Sequence, residues 1–506
     1  MGSSRIRKAS LNLIWLIIYE GTVFICNLIL PRLIITQYGS AYNGIITSIT
    51  QFLSFVAILR LGVAGATRVA LYKSLADGNT YETSAIIRAT EIYMRKIGVV
   101  IIGFVVVLAI IYPFIVEGEL SYAETAILVI AIGVGTFSQY FFGITYSTLL
   151  RADQRLYIYN IIQTITIIIN TVISSFMIVN DCSIQSVKIY NAVIFTISPM
   201  VLNRYVIWKY RIDTKCQPNN EALSRKKDVM GHSIANIVHE NTDVIVLTLF
   251  TDVRIVSVYT VYNLVMNGLK QIMNLFTTGI ESIFGEMWAK GENDNINKNL
   301  RYFEYLMGLF ISVVFSTTAV LVLPFVRNYT KGVTDVEYLL PTYAIIIVLA
   351  QILYCFRMPY LTLVQAAGHY KETRNGAFLE AGLNLTLSIV LVQFIGIVGT
   401  AVGTLAANAF RTIQYSLYVS DKLIFRSKRL IIYRLLWIGM NCSLSAAICA
   451  LIFFNYAGEG WTKWIFSAVG CVVISTVIGL VSSIVFYKAD TKGLFTIGKK
   501  MIRMGK

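Results

Sequence analysis

Long apolar runs recur along this chain, each close to the length a helix needs to cross a bilayer. Roughly 20 residues suffice. With tolerance at the ends, that rule marks fourteen spans, at about 10–36, 43–70, 97–116, 122–149, 156–179, 187–208, 231–251, 255–286, 302–326, 338–366, 375–395, 398–420, 431–454 and 464–487. The pattern predicts an all-α polytopic membrane protein of about 14 transmembrane helices. Pro359 predicts a kink inside the tenth span. Only Gly396 and its neighbours separate the eleventh from the twelfth.

Polar residues interrupt several runs at helical spacing. The stretch Gly231 to Phe250, GHSIANIVHENTDVIVLTLF, carries His239, Glu240 and Asp243 near its middle. Ser233, Asn236, Glu240 and Asp243 follow steps of three, four and three, which puts them on one helix face. An acid at a helix centre in lipid costs at least about 2.5 kcal/mol on insertion scales, so such groups face a partner or a wet cavity. The eighth span repeats the pattern with Asn263, Asn267, Lys270, Asn274, Thr277 and Glu281. The tenth has Gln351, Tyr354, Arg357 and Gln365; the eleventh has Glu380, Asn384 and Ser388; the twelfth has Thr400, Thr404, Asn408, Arg411 and Tyr415. In the first span Glu20 sits between Asn12 and Asn27. Turned inward, these stripes line a cavity; turned to lipid, each would cost several kcal/mol.

The loops alternate in charge. Clusters such as Arg5-Ile6-Arg7-Lys8, Arg225-Lys226-Lys227 and Lys428-Arg429 fall on one side, and the alternate loops lean acidic, with Glu117, Glu119, Asp181, Asp335 and Glu337. The positive-inside rule then puts both termini in the cytoplasm. A weak internal repeat supports two halves. Tyr42 and Gly62 recur as Tyr259 and Gly279, and Tyr112-Pro113-Phe114 as Leu323-Pro324-Phe325. The expected organisation is an N-lobe at 1–210, a basic cytoplasmic linker at 211–230, a C-lobe at 231–420, and two further helices with a basic tail at 421–506.

Composition narrows the class. The chain has 506 residues, of which 56% are hydrophobic and 14% charged, and its mean hydropathy is +0.67. These values belong to a membrane protein. The net charge of +16 sits in short loops, where lipid headgroups and topology account for it, so no nucleic-acid partner is expected. Seven scattered cysteines form no CxxC pair, and no metal site is expected. No Walker A sequence or other catalytic motif is present, loops of about 25 residues at most leave no room for a catalytic domain, and the chain is not expected to be an enzyme.

The cavity expected from the stripes is cationic. Arg60 lies deep in the second span among apolar neighbours, and Lys270, Arg357 and Arg411 are the other cations at depth. Guanidinium matches phosphate bidentately and ammonium serves as a point charge, so these suit an anionic, phosphorylated substrate. The competing reading pairs each cation with an internal acid from among Glu20, Glu240, Asp243, Glu281 and Glu380, or lets Arg411 snorkel to the inner interface. The same acids, with His239, are candidates to carry H⁺ or Na⁺.

Four segments resemble a known family. Asn12…Tyr19-Glu20, Tyr38-Gly39…Tyr42-Asn43-Gly44 and Leu61-Gly62-Val63…Leu71-Tyr72 look like the start of bacterial polysaccharide flippases. Asn241-Thr242-Asp243-Val244-Ile245-Val246-Leu247, followed by Val256…Tyr259…Tyr262, is similar to that family's seventh-to-eighth helix region. These flippases belong to the multidrug/oligosaccharidyl-lipid/polysaccharide exporter superfamily. The resemblance implies two six-helix lobes around a central cavity plus two added helices. It implies alternating access in a bacterial inner membrane, carrying an undecaprenyl-diphosphate-linked oligosaccharide to the outer leaflet for O-antigen, capsule or exopolysaccharide. Glycosyltransferases and a polysaccharide polymerase are then expected partners, with Arg60, Lys270, Arg357, Arg411, Asn267 and Asn274 toward the substrate and no cofactor beyond a coupling ion. Arg60 departs from the acid or polar residue frequent at its place. A peptidoglycan-precursor flippase or a cation-coupled multidrug exporter would share the architecture.

Overall fold

The computed structural model describes residues 2–60, 62–116, 118–219, 221 and 230–493. Every regular element among them is helical. The helices are α1 (Gly2–Tyr38), α2 (Ser40–Ser54), α3 (Val63–Ala76), α4 (Thr80–Ile115), α5 (Tyr122–Ser138), α6 (Ile144–Ala152), α7 (Leu156–Val179), α8 (Ile184–Tyr210) and α9 (Met230–Phe250). They continue with α10 (Val253–Ala289), α11 (Asn293–Tyr329), α12 (Pro341–Phe356), α13 (Met358–Ala366), α14 (Tyr370–Ile395), α15 (Ile397–Tyr418), α16 (Arg429–Ala457) and α17 (Trp461–Phe486). Ten helical stretches among the described residues are long and apolar enough to cross a membrane. The chain is an all-α polytopic membrane protein.

Local chemistry sets many of the boundaries. Asn79 caps α4 by accepting from the Glu82 amide at 3.0 Å. Ser121 and Glu124 form a reciprocal capping box at the start of α5. Gly39 at φ 95° and Gly396 at φ 57° let one helix stop and the next begin within a single residue. The tenth predicted span is broken between α12 and α13 at Arg357, beside Pro359. The second span is also broken: α2 passes into a 3₁₀ turn over Phe55–Arg60, and Gly62, left-handed at φ 80°, starts α3. Gly62 is thus required by its backbone conformation. Its counterpart in the repeat, Gly279, lies inside unbroken α10.

The chain divides into two compact units, Met1–Ser257 and Val258–Lys506. In the first, α1 packs along α7, α5 along α4 and α8, and α2 along α9. Its main core gathers Ile45, Ile49 and Leu53 of α2 against Met94, Ile101 and Tyr112 of α4 and Leu128 of α5. The start of α10, which continues the α2–α9 seam, comes unusually close to α2. A Cβ on Gly44 would lie 1.8 Å from the Val253 carbonyl oxygen. Three side-chain hydrogen bonds run along the seam and its continuation: Asn43 to Ser257 at 2.8 Å, Thr248 to Ser48 at 2.7 Å, and Ser54 to Asn241 at 2.7 Å. Such neutral bonds hold helices together where lipid offers no hydrophobic drive, at about 0.6 kcal/mol each.

In the second unit, α14 pairs with α15, α12 lies on α15, and α16 and α17 pack on α11. Gly399 and Gly403, spaced as in GxxxG, bring α15 onto α14. A Cβ at either would lie 2.5 Å from an atom of Leu391 or Ser388. Asn384 donates to Thr404 at 3.0 Å across the same interface.

Gly44→Ala is expected to force α2 from the start of α10 and destabilise the protein by about 3 kcal/mol. Gly65→Ala, whose Cβ would meet nothing within 4 Å, should leave stability unchanged or slightly raised. Thermal unfolding of the purified chain in detergent compares the two; equal midpoints would refute the close-approach account.

Candidate functional site

In the first unit, two helix irregularities and a proline open a polar cavity of about 260 Å³. The 3₁₀ turn and Gly62 present Arg60, and α3 adds Arg68 one turn and a half further on. Opposite them the α5–α6 helix widens into a π-turn over Gln139–Gly143, from which Gln139 and Tyr140 face the cavity, and the last turn of α6 contributes Arg151. Tyr159 and Gln163 of α7 and Pro199 of α8 complete the wall. The Arg60 guanidinium lies over the Tyr140 ring, 5.5 Å from its centroid.

Among the described residues no carboxylate comes within 4 Å of Arg60, Arg68 or Arg151. Three guanidiniums around one cavity, with no described acid to neutralise them, gather positive charge and N–H donors of the kind that match oxyanions. Sequence reasoning identified Arg60 and missed the other two. Arg68 sits among alanines and Val69, and Arg151 lies at a loop boundary, where it was counted as a topology charge.

The second unit handles its cations differently. Arg357 at the α12–α13 break bonds Glu380 of α14. Glu380 also pairs with Arg411 of α15 at 3.3 Å. Arg411, only 1% exposed, donates further to the Thr373 carbonyl at 2.9 Å, to Gln414 at 2.5 Å and to the Tyr415 hydroxyl at 2.5 Å. It is therefore an internal anchor and does not snorkel. Arg357 and Lys270 both lie over the Tyr354 ring, at 4.6 and 4.8 Å from its centroid. The structure thus brings Lys270, Arg357, Glu380 and Arg411 together. Asn267 and Asn274, from the same stripe as Lys270, are exposed, and Glu281 is half-buried.

The remaining candidates lie in the first unit. Glu20 on α1 is half-buried and makes no ion pair among the described residues. On α9, Asp243 is buried, His239 half-buried and Glu240 exposed, so the predicted stripe is split between environments. The side chains of Ser233 and Asn236 lie outside the described residues. Among the described residues no group of three His, Cys, Asp or Glu side chains is placed to hold a metal ion.

A second buried network escaped sequence reasoning altogether. Glu304 of α11 bonds Arg426 and lies 3.7 Å from Arg434 of α16. Arg434 reaches Asp490, beyond α17, at 3.4 Å, and Asp490 binds Arg301 at 2.7 Å. Arg434 also covers the Tyr487 ring at 4.6 Å. The three arginines looked like loop charges of the positive side. Their partners are the only cue, since Glu304 and Asp490 are acids among basic neighbours. The network fastens α16 and the segment after α17 to α11.

Neither a protein-family model nor a curated protein matches the chain. Solved structures do share its fold. The lipid II flippase MurJ in an inward closed conformation superposes with a TM-score of 0.71 over 94% of this chain and 99% of that one, at 14% identity. An inward-facing multidrug resistance MATE family transporter of the MOP superfamily reaches 0.60 over 82% and 97%, at 12% identity. The Vibrio cholerae MATE transporter VcmN in its bent form reaches 0.54 over 83% and 98%, at 14% identity. The fold is that of the MOP-superfamily transporters.

Glu380→Gln should leave Arg357 and Arg411 buried without a counter-charge and destabilise the protein by about 3 kcal/mol or more. Glu281→Gln, which breaks no described ion pair, should change it by less than about 0.5 kcal/mol. Thermal unfolding in detergent distinguishes them; a silent Glu380→Gln would show that the triad is not structural.

Proposed function

We propose that this protein is a flippase that moves an undecaprenyl-diphosphate-linked oligosaccharide from the cytoplasmic to the outer leaflet of a bacterial inner membrane by alternating access. One observation carries the reading: the cavity of Arg60, Arg68 and Arg151, with no described carboxylate against them. A diphosphate headgroup supplies the opposite charge and the acceptor geometry. A multidrug exporter that accepts cationic drugs would need the reverse sign.

The volume, about 260 Å³, lies below the roughly 300–1,000 Å³ of drug-sized sites. It suits a diphosphate and excludes a whole oligosaccharide. In the second unit, Lys270 is the cation that would meet the substrate, while Arg357, Arg411 and Glu380 serve internal pairing. Coupling to H⁺ or Na⁺ would fall on Glu20, Asp243 or Glu281, with His239 and Glu240 beside them. The positive-inside rule gives cytoplasmic termini, and glycosyltransferases and a polysaccharide polymerase would act before and after transport.

A second reading, a peptidoglycan-precursor flippase, is favoured by the fold likeness to MurJ, which accounts for more of this chain than the MATE structures do. Both substrates are lipid diphosphates.

Translocation of radiolabelled undecaprenyl-diphosphate oligosaccharide and of lipid II in proteoliposomes tests the proposal. Wild type should carry the first, and Arg60→Ala/Arg151→Ala should lower its rate about a hundredfold at equal folded protein. Carriage of lipid II alone would select the second reading. Undiminished transport by the double variant would remove the cavity from the mechanism. Efflux of cationic drugs without lipid transport would overturn the flippase.

A further inference from the structure

Arg60 needs something to hold it. It ends a 3₁₀ turn and lies outside α2 and α3, so no α-helix fixes its direction. No carboxylate is within 4 Å among the described residues. Its one described side-chain partner is the face of Tyr140. A long cationic side chain left free would lose rotamer entropy on meeting an anion, and a preoriented one loses less.

Tyr140 is itself fixed by an irregular element. A π-turn is rare and adds one residue to a helical turn. Here its register is set from two sides. Gly98 of α4 forms a notch for the rings of Phe137 and Phe141; a Cβ there would stand 2.8 Å from Phe141 Cδ2 and 3.1 Å from Phe137 Cε2. Gly143 admits Pro199 of α8 at 3.5 Å from where its Cβ would be. Phe141 is thus directed toward α4, where Arg95 covers it at 5.5 Å. Its neighbour Tyr140 is turned to the cavity and buried to 7% exposure.

We infer that Tyr140 is a positioning residue, which presents the Arg60 guanidinium to a phosphate group bound in the first-unit cavity. This rests on the anion reading above. The ring faces the cation and leaves the guanidinium edge, with its N–H donors, for the anion's oxygens. The π-turn's extra residue lets one aromatic run serve two surfaces, Phe137 and Phe141 for packing and Tyr140 for recognition.

The test is binding of inorganic pyrophosphate to the full-length protein in zwitterionic nanodiscs, by calorimetry. Tyr140→Phe keeps the ring and should bind within about twofold of wild type. Tyr140→Leu should weaken binding about tenfold. Arg60→Ala should weaken it about thirtyfold. Arg60→Ala/Tyr140→Leu should be no weaker than Arg60→Ala alone, because Tyr140 acts through Arg60. Thermal midpoints identify any variant that merely unfolds, and the Phe variant preserves the packing volume. Additive losses in the double variant, wild-type binding by Tyr140→Leu, or equal losses in Phe and Leu would each overturn the positioning role while leaving the anion site. Absence of pyrophosphate binding by wild type would overturn both.

Discussion

A charge inside a bilayer has no water to fall back on, and the arrangement of this protein's interior follows from how each such charge is met. Two solutions appear. In the second unit, Glu380 neutralises Arg357 and Arg411, and carbonyl, amide and phenol oxygens take up the rest of Arg411. In the first unit, three arginines are gathered around a cavity, with an aromatic face under one of them and no described acid beside any. The first arrangement holds helices in place. The second leaves positive potential around an open polar space.

The irregular backbone lies where the second solution is built. A 3₁₀ turn, a left-handed glycine and a π-turn converge on the Arg60 cavity, whereas α4, whose task is packing, runs unbroken from its Asn79 cap through Pro113. Non-helical backbone at membrane depth is tolerated only where it is buried in protein or lines a polar space. Neutral hydrogen bonds run through the first unit from α2 to α9 and the start of α10.

Much of the fold was legible because it rests on local signals. Apolar length marked the helical stretches, Pro359 marked the α12–α13 break, and Gly396 marked the turn between α14 and α15. The candidate sites were legible in part. Spacing grouped Arg357, Glu380 and Arg411 as interior residues of neighbouring spans, but it could not say that one acid serves two cations. Arg68 and Arg151 were illegible because the topology that gathers them depends on where α3 and α6 come together. The Glu304–Arg434–Asp490 chain joins residues far apart in sequence, and its arginines had an adequate local explanation as loop charges. Gly62 and the π-turn were missed for a different reason: an interrupted helix and a continuous one have the same apolar pattern.

The hairpin of α14 and α15 has a mechanical consequence. One residue, Gly396, joins the two helices, and Gly399 and Gly403 press the first turns of α15 onto the last turns of α14, so the pair has few internal degrees of freedom. Glu380 and Arg411 ride on this single body, and their contact is conserved through any rigid movement of it. Arg357 lies on neither helix of the hairpin but at the break between α12 and α13. Of the two bonds to Glu380, only the one from Arg357 ties the hairpin to that break, so a single carboxylate closes the hairpin on itself and on the neighbouring broken helix.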